Sequence, residues 1–236
     1  MGTHSSYRDN CLVFWDTHRM RWLDAFGANV VKYIFDGASL PTDDTTGDPT
    51  EFTLTPVEVG AGTSTAVMSS TAGEGILITT AGNENDGVSL QVKGEAFSLV
   101  AGKPAYFGIA CTLSSATQSD LFLGLAITDA TLLAGITDGV YFECLDGSTD
   151  INFVSEKNST ETTTGSAIGT MDTSEHIYEI YWDGTTLHAY LDGVETALTQ
   201  TNIPDDESLT PSIEVLNGEA AAMTLKVRWL RAIQLR

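Results

Sequence analysis

Positive charge is scarce in this chain of 236 residues: Lys and Arg number 11 against 32 Asp and Glu, a formal net charge of −21. Binding to nucleic acid rests on clustered Lys and Arg that neutralise phosphates, so that class of partner is excluded as a general mode of action. Anionic lipid would repel the same surface, and no membrane partner is expected. Cysteine is scarce too. Cys11, Cys111 and Cys144 are odd in number, far apart and without a Cys-x-x-Cys spacing, which argues against a zinc site and a disulfide framework and leaves buried free thiols. The four histidines, His4, His18, His176 and His188, show no i, i+2 or i, i+4 pairing, so no metal ion and no cofactor is expected. Long apolar runs are missing: Leu12–Trp15 is too short for a signal-peptide core, and no stretch nears the ~20 residues of a membrane helix. Synthesis in a reducing cytoplasm follows, and the Asn158-Ser159-Thr160 sequon reads as incidental.

Helical period is nearly absent as well. From about residue 50 onward, short apolar alternations are separated by Gly, Asp, Asn, Ser and Thr clusters, the pattern of half-buried strands. "EFTLTPVEV", "GILIT", "GVSLQV", "AFSLV", "AYFGIACTL", "DLFLGLAIT", "GVYFECL", "INFVSE", "HIYEIYW", "TLHAYL", "VETAL", "PSIEVL" and "MTLKVRWLRAI" are the candidates. They are too many for one open sheet, and two packed antiparallel sheets accommodate them. Asp-Gly at Asp36, Asp86, Asp138, Asp146, Asp183 and Asp192, with Asn217-Gly218, supplies turn dipeptides that tolerate positive φ and mark antiparallel connections. Residues 1–36 mix bulky apolar and basic groups and read as an N-terminal arm or first strand with room for a short helix. Residues 37–236 read as one β-sandwich domain.

In Leu187–Leu191 the alternation sends Leu187, Ala189 and Leu191 to the core and His188 and Tyr190 to the other face. Asp192-Gly193 then lets Val194 pair beside Leu191. Trp182, His188 and Tyr190 are the candidate sugar-stacking side chains. A glycosidase needs two carboxylates facing across a cleft, and the Glu-x-Asp-x-Glu strand pattern that supplies them is missing. Glu143 with Asp146, and Asp205-Asp206-Glu207, lie beside turn residues where solvated acids are expected. No nucleophile elbow, zinc-binding helix or phosphate loop occurs, so no catalytic residue is named and no enzyme is expected. Loops such as "PTDDTTGD" and "NENDG" contain ligand types that suit calcium, without EF-hand spacing.

The few basic residues concentrate at the two ends. Residues 37–225 carry 28 acidic groups and only Lys93, Lys103 and Lys157. Several strings resemble those of uncharacterised structural proteins of tailed bacteriophages: "NDGVSLQ", "AGKPAYFG", "ATQSDLFLGLAITD", "TDGVYF", "LTPSIEVLNGEAAAMTL" and "VRWLRAIQLR", between residues 85 and 236. The pattern also resembles concanavalin-like jelly rolls, where a strand ending in Tyr-x-Asp-Gly (Tyr190–Gly193) precedes a last strand that returns through the core. The resemblance implies an all-β, antiparallel two-sheet jelly-roll sandwich with an N-terminal arm, serving as a decoration or cement protein on the outer surface of a phage capsid. Its partner would be the major capsid protein, and icosahedral symmetry suggests a homotrimer. Trp15, Trp22 and Phe26 would anchor in apolar pockets while Arg8, Arg19, Arg21, Arg228 and Arg231 pair with shell carboxylates. The alternative expectation is a lectin-like module used for host-glycan adhesion.

Overall fold

The computed structural model of the protein describes residues 30–164 and 167–235 in full and, before them, the backbone of Thr3–Arg8, Cys11–Asp16 and Arg21–Trp22. Those three segments, β1, β2 and β3, pair antiparallel into a small sheet. Next come β4 (Val30–Phe35), β5 (Phe52–Val57), β6 (Thr65–Met68), β7 (Ile76–Thr79) and β8 (Gly87–Val92). β9 (Ala105–Leu113), β10 (Ser119–Ala126), β11 (Gly139–Cys144), β12 (Asp150–Lys157), β13 (Thr160–Thr163) and β14 (Gly169–Thr170) follow. The last are β15 (Glu175–Trp182), β16 (Leu187–Leu191), β17 (Val194–Thr199), β18 (Thr210–Asn217) and β19 (Thr224–Leu235). No helix occurs among the described residues.

Two eight-stranded antiparallel sheets make the sandwich. Sheet 1 runs β13-β12-β11-β10-β18-β8-β5 with β14 beside β12, and sheet 2 runs β17-β16-β15-β9-β19-β7-β6 with β4 beside β19. The long strand β19 is the keel of sheet 2: one side pairs along β9, and the other is shared, β7 meeting Thr224–Val227 and β4 meeting Leu230–Leu235. Val30–Phe35 therefore belongs to the sandwich, although it lies within the segment 1–36 of the sequence reading.

Alternation explains the core. Phe107, Ile109, Tyr178, Ile180, Leu187, Ala189, Leu230 and Ala232 of sheet 2 face Leu121, Leu123, Leu125, Val140, Phe142, Ile213 and Val215 of sheet 1 in one continuous cluster. Pro56, which cannot donate to a ladder, is tolerated because β5 is the edge of sheet 1. Asp192 and Gly193 both have positive φ (52° and 78°), and Leu191 pairs with Val194 across them, the two-residue hairpin expected of Asp-Gly.

Three of the turn dipeptides do other work. Asp86 is fully buried and accepts the N–H groups of Val59 (2.8 Å) and Asn83 (2.8 Å), while a Cβ on Gly87 would lie 2.0 Å from the Val215 carbonyl oxygen. That glycine is required for close strand approach rather than for a turn. Asp138 accepts the Asn158 N–H at 3.0 Å just before β11 begins. Asn217, fully buried, donates to the carbonyls of Ala81 (2.6 Å) and Asn83 (3.0 Å) and accepts from Thr80 Oγ1 (2.6 Å). The candidate strand "AFSLV" is not one: Phe97 makes only an isolated bridge to Leu209. The Gln234 side chain takes the place of a partner strand, accepting the Ser98 N–H (2.9 Å) and donating to the Ser98 carbonyl.

Candidate functional site

The outer face of sheet 1 is assembled by register. Phe122 lies opposite Glu143 on one neighbouring strand and Glu214 on the other, so two carboxylates flank an aromatic ring in one row. Tyr141 stacks on Phe122 with centroids 4.3 Å apart and planes 25° from parallel. The connection from Ile127 to Asp138 folds across this face, burying Leu132 and Ile136 against Phe122, Ala126, Tyr141 and Val154. Its backbone is held by side chains of the sheet and its margin: Thr128 N–H donates to Glu95 (2.6 Å), Asp129 N–H to Gln91 Oε1 (2.9 Å) and Leu133 N–H to Glu214 Oε2 (2.8 Å). Burial pushes the carboxyls of Glu214, Glu143 and Glu156 above the usual range. Glu143 is a half-buried strand residue of β11, not the solvated turn acid expected of it. Asp205 and Asp206 are the exposed loop acids expected, and both pair with Lys157.

On the outer face of sheet 2, Tyr106 O–H donates to Glu179 Oε1 at 2.7 Å, and both residues are buried. The Tyr181 and His188 rings stack at 6.0 Å, and His188 lies 3.3 Å from Glu195 and 3.5 Å from Asp183 through its two ring nitrogens. Tyr190 is half-buried, its hydroxyl pKa pushed up to about 12 by burial and the nearby Glu195 carboxylate. His188 and Tyr190 therefore lie on the outer face, as the alternation predicts. Trp182 does not join them: it belongs to the core, 5% exposed, with its indole N–H donating to the Val100 carbonyl at 3.0 Å. Residue parity sets that outcome, because Trp182 pairs with the inward Leu187 across the β15–β16 hairpin.

Of the expected interface residues, Arg228 is exposed and pairs with Glu175 at 2.7 Å. Arg231 is half-buried with its guanidinium carbon 5.4 Å from the centroid of the Trp229 ring. The side chains of Arg8, Trp15, Arg21 and Trp22, and Arg19 and Phe26 altogether, lie outside the described residues. So does the side chain of Cys11, whereas Cys111 and Cys144 are buried free thiols.

The rim of the sandwich has a cavity of about 630 Å³ where the β15–β16 turn, the β17–β18 connection and Lys157 meet. Sequence reading missed it because its walls come from segments far apart in the chain. Elsewhere, His176 lies between Asp192 (2.7 Å) and Asp172 (3.0 Å). Among the described residues no group of three or more His, Cys, Asp or Glu is placed to hold a metal ion, and no helix is long and apolar enough to cross a membrane.

No protein-family profile matches the chain, and no characterised protein is detectably similar in sequence. Solved structures are similar in fold. The metal-free carbohydrate recognition domain of Emp46p aligns with a TM-score of 0.57 at 13% identity, over 85% of this chain and 97% of that one. A glycosyl hydrolase family protein from Mycobacterium fortuitum gives 0.58 at 13% identity, over 85% and 98%. A protein of unknown function from Shewanella oneidensis MR-1 gives 0.57 at 11% identity, over 89% and 88%. Likeness at this identity shows the fold, a concanavalin-like jelly-roll sandwich, and carries no activity with it.

Proposed function

We propose that the chain is a non-catalytic attachment protein, a rigid jelly roll that decorates the outside of a tailed-phage head. The major capsid protein is its partner and a homotrimer its working form. One observation supports the non-catalytic part: three acids on the two sheet faces are engaged by the protein's own groups. Glu214 accepts the Leu133 N–H, Glu179 the Tyr106 hydroxyl and Glu156 the Tyr141 hydroxyl. The flanking pair Glu143 and Glu214 is separated by Phe122, on whose ring Tyr141 stacks, whereas glycoside hydrolysis needs open space between two carboxylates for a sugar and a water. The virion part is supported by the phage-like strings between residues 85 and 236 and by the acidic body, which keeps decorated particles apart. Arg228 offers an exposed guanidinium whose surface ion pair with Glu175 is worth little and is exchangeable for a shell carboxylate.

Mixing full-length protein with undecorated heads tests this. Protein should co-sediment with heads, occupancy should fall on raising salt as Arg–carboxylate contacts are screened, and Arg228→Glu should lower it further. Protein that stays in the supernatant at low salt would end the proposal.

A second reading, a carbohydrate-binding module, is favoured by the half-buried Tyr181, His188 and Tyr190 clustered on the outer face of sheet 2. The carbohydrate recognition domain among the similar folds gives it further support. A glycan array with wild type and Tyr190→Ala separates the two: signal lost with the ring supports the face, and a blank array removes it.

A further inference from the structure

The rim cavity is built from polar groups on a fixed floor. The β15–β16 turn is locked by Asp183, whose Oδ1 accepts the N–H groups of Thr185 (2.7 Å) and Thr186 (2.7 Å) and the Thr185 hydroxyl (2.8 Å). Gly184, at φ +101°, presses against the Gly102 backbone, where a Cβ would lie 2.8 Å from the Gly102 Cα, and its carbonyl accepts the Gly102 N–H at 2.9 Å. At Gly184 that contact leaves no room for a side chain, so this part of the floor is bare backbone. Trp182 closes one wall. Its indole N–H is already bound to Val100, so what it offers the cavity is apolar ring.

The other walls carry hydrogen-bonding capacity that the protein uses only in part. Gln200 donates to Thr186 Oγ1 (2.6 Å) and Asn202 to Thr162 Oγ1 (2.8 Å). Among the described residues, nothing donates to the carbonyl oxygen of either amide, each of which accepts two hydrogen bonds. Asn202 is held at φ 49°, a conformation an L residue adopts at a cost and that the surrounding loop must enforce. Lys157 lines the same space but is clasped by Asp205 and Asp206, leaving the mouth with more negative than positive charge.

We propose that this cavity is a binding site for one or two residues of a neutral saccharide, bound by the Gln200 and Asn202 amides against the edge of Trp182. Carboxamides both donate and accept, as sugar hydroxyls do, and a volume of about 630 Å³ lies within the range of small-ligand pockets. The Lys157 clasp supplies the selectivity: an anionic sugar meets two carboxylates and an ammonium already neutralised, so uronic acids are rejected. The inference rests on the carbohydrate-binding reading above but places the ligand at the rim instead of the outer face of sheet 2.

The test titrates full-length protein with methyl glucoside, N-acetylglucosamine and glucuronate, following tryptophan fluorescence, with Trp182→Phe to assign the signal. At least one neutral sugar should bind with a Kd on the order of 1–10 mM, as expected for so few contacts. Glucuronate should bind at least tenfold more weakly, and Asp205→Asn with Asp206→Asn should narrow that gap by freeing Lys157. Gln200→Ala and Asn202→Gly should each weaken neutral-sugar binding fivefold or more; glycine is chosen at position 202 because it keeps the positive φ. Unchanged affinity in both variants, with Tyr190→Ala abolishing the signal, overturns the rim site while leaving the carbohydrate reading intact. No binding of any neutral sugar overturns both.

Discussion

Single side chains in this protein have their roles set by what surrounds them. His176 is the clearest titrating example. Burial disfavours its charged form, but the hydrogen bonds and charges of Asp192 and Asp172 outweigh that and hold its pKa above the ordinary imidazole value. A group raised in the folded state contributes stability that is complete below its unfolded pKa of ~6.5 and is lost as pH rises through the folded value. Wild type should therefore lose part of its Tm advantage over His176→Gln between pH 5.5 and pH 8.5; parallel melting curves at both pH values would show that the two aspartates do not act on the ring. Asn217 is the structural counterpart. Removing its amide leaves the Ala81 carbonyl without its donor and takes one bond each from the Asn83 carbonyl and the Thr80 hydroxyl, which keep Asp86 N–H and the Met223 carbonyl, so Asn217→Ala should cost about 1–3 kcal/mol in urea denaturation. Nothing in the Asn-Gly dipeptide distinguishes a turn from a buried clamp, because the three groups it satisfies lie more than 130 positions away in the chain.

Among the elements, the Ile127–Asp138 connection covers the outer face of sheet 1. Leu132 and Ile136 pack it onto the sheet, and the Glu214 and Gln91 side chains hold its backbone. Glu214→Ala should therefore loosen this connection while the strands beneath it persist. The expected result is faster limited proteolysis within residues 127–138 with little change in the far-ultraviolet circular dichroism; equal cleavage of variant and wild type would mean that Leu132 and Ile136 suffice. Strand identity itself was legible in the longer alternating runs, as in β9, β10, β15 and β19, whereas the five-residue "AFSLV" forms only an isolated bridge. The short β6, β13 and β14 were not legible: "TETT" and a Gly-Thr pair carry no apolar period, and only a neighbouring strand's open edge makes them extended.

The whole molecule is an acidic body with a net charge of −21, and its like charges repel in the compact state. Raising ionic strength from about 10 mM to about 150 mM shortens the screening length from about 30 to about 8 Å, so Tm should rise over that interval. A Tm independent of salt would mean that the exposed acids are already compensated locally, as Asp205 and Asp206 are by Lys157. By itself, the sequence determined the class of fold: alternation with a period of two puts one side of every strand inward, and thirteen such runs are accommodated by two facing antiparallel sheets. It determined the inward set Leu187, Ala189 and Leu191, the free thiols at 111 and 144, and the sign of the surface. Tertiary structure alone decided that Trp182 is core, that Glu143 and Glu214 flank one ring, that residues 127–138 cover that row, and that Gln200, Asn202 and Lys157 share a cavity. Each of these depends on which strands become neighbours, a matter of long-range register, whereas alternation is written in consecutive residues.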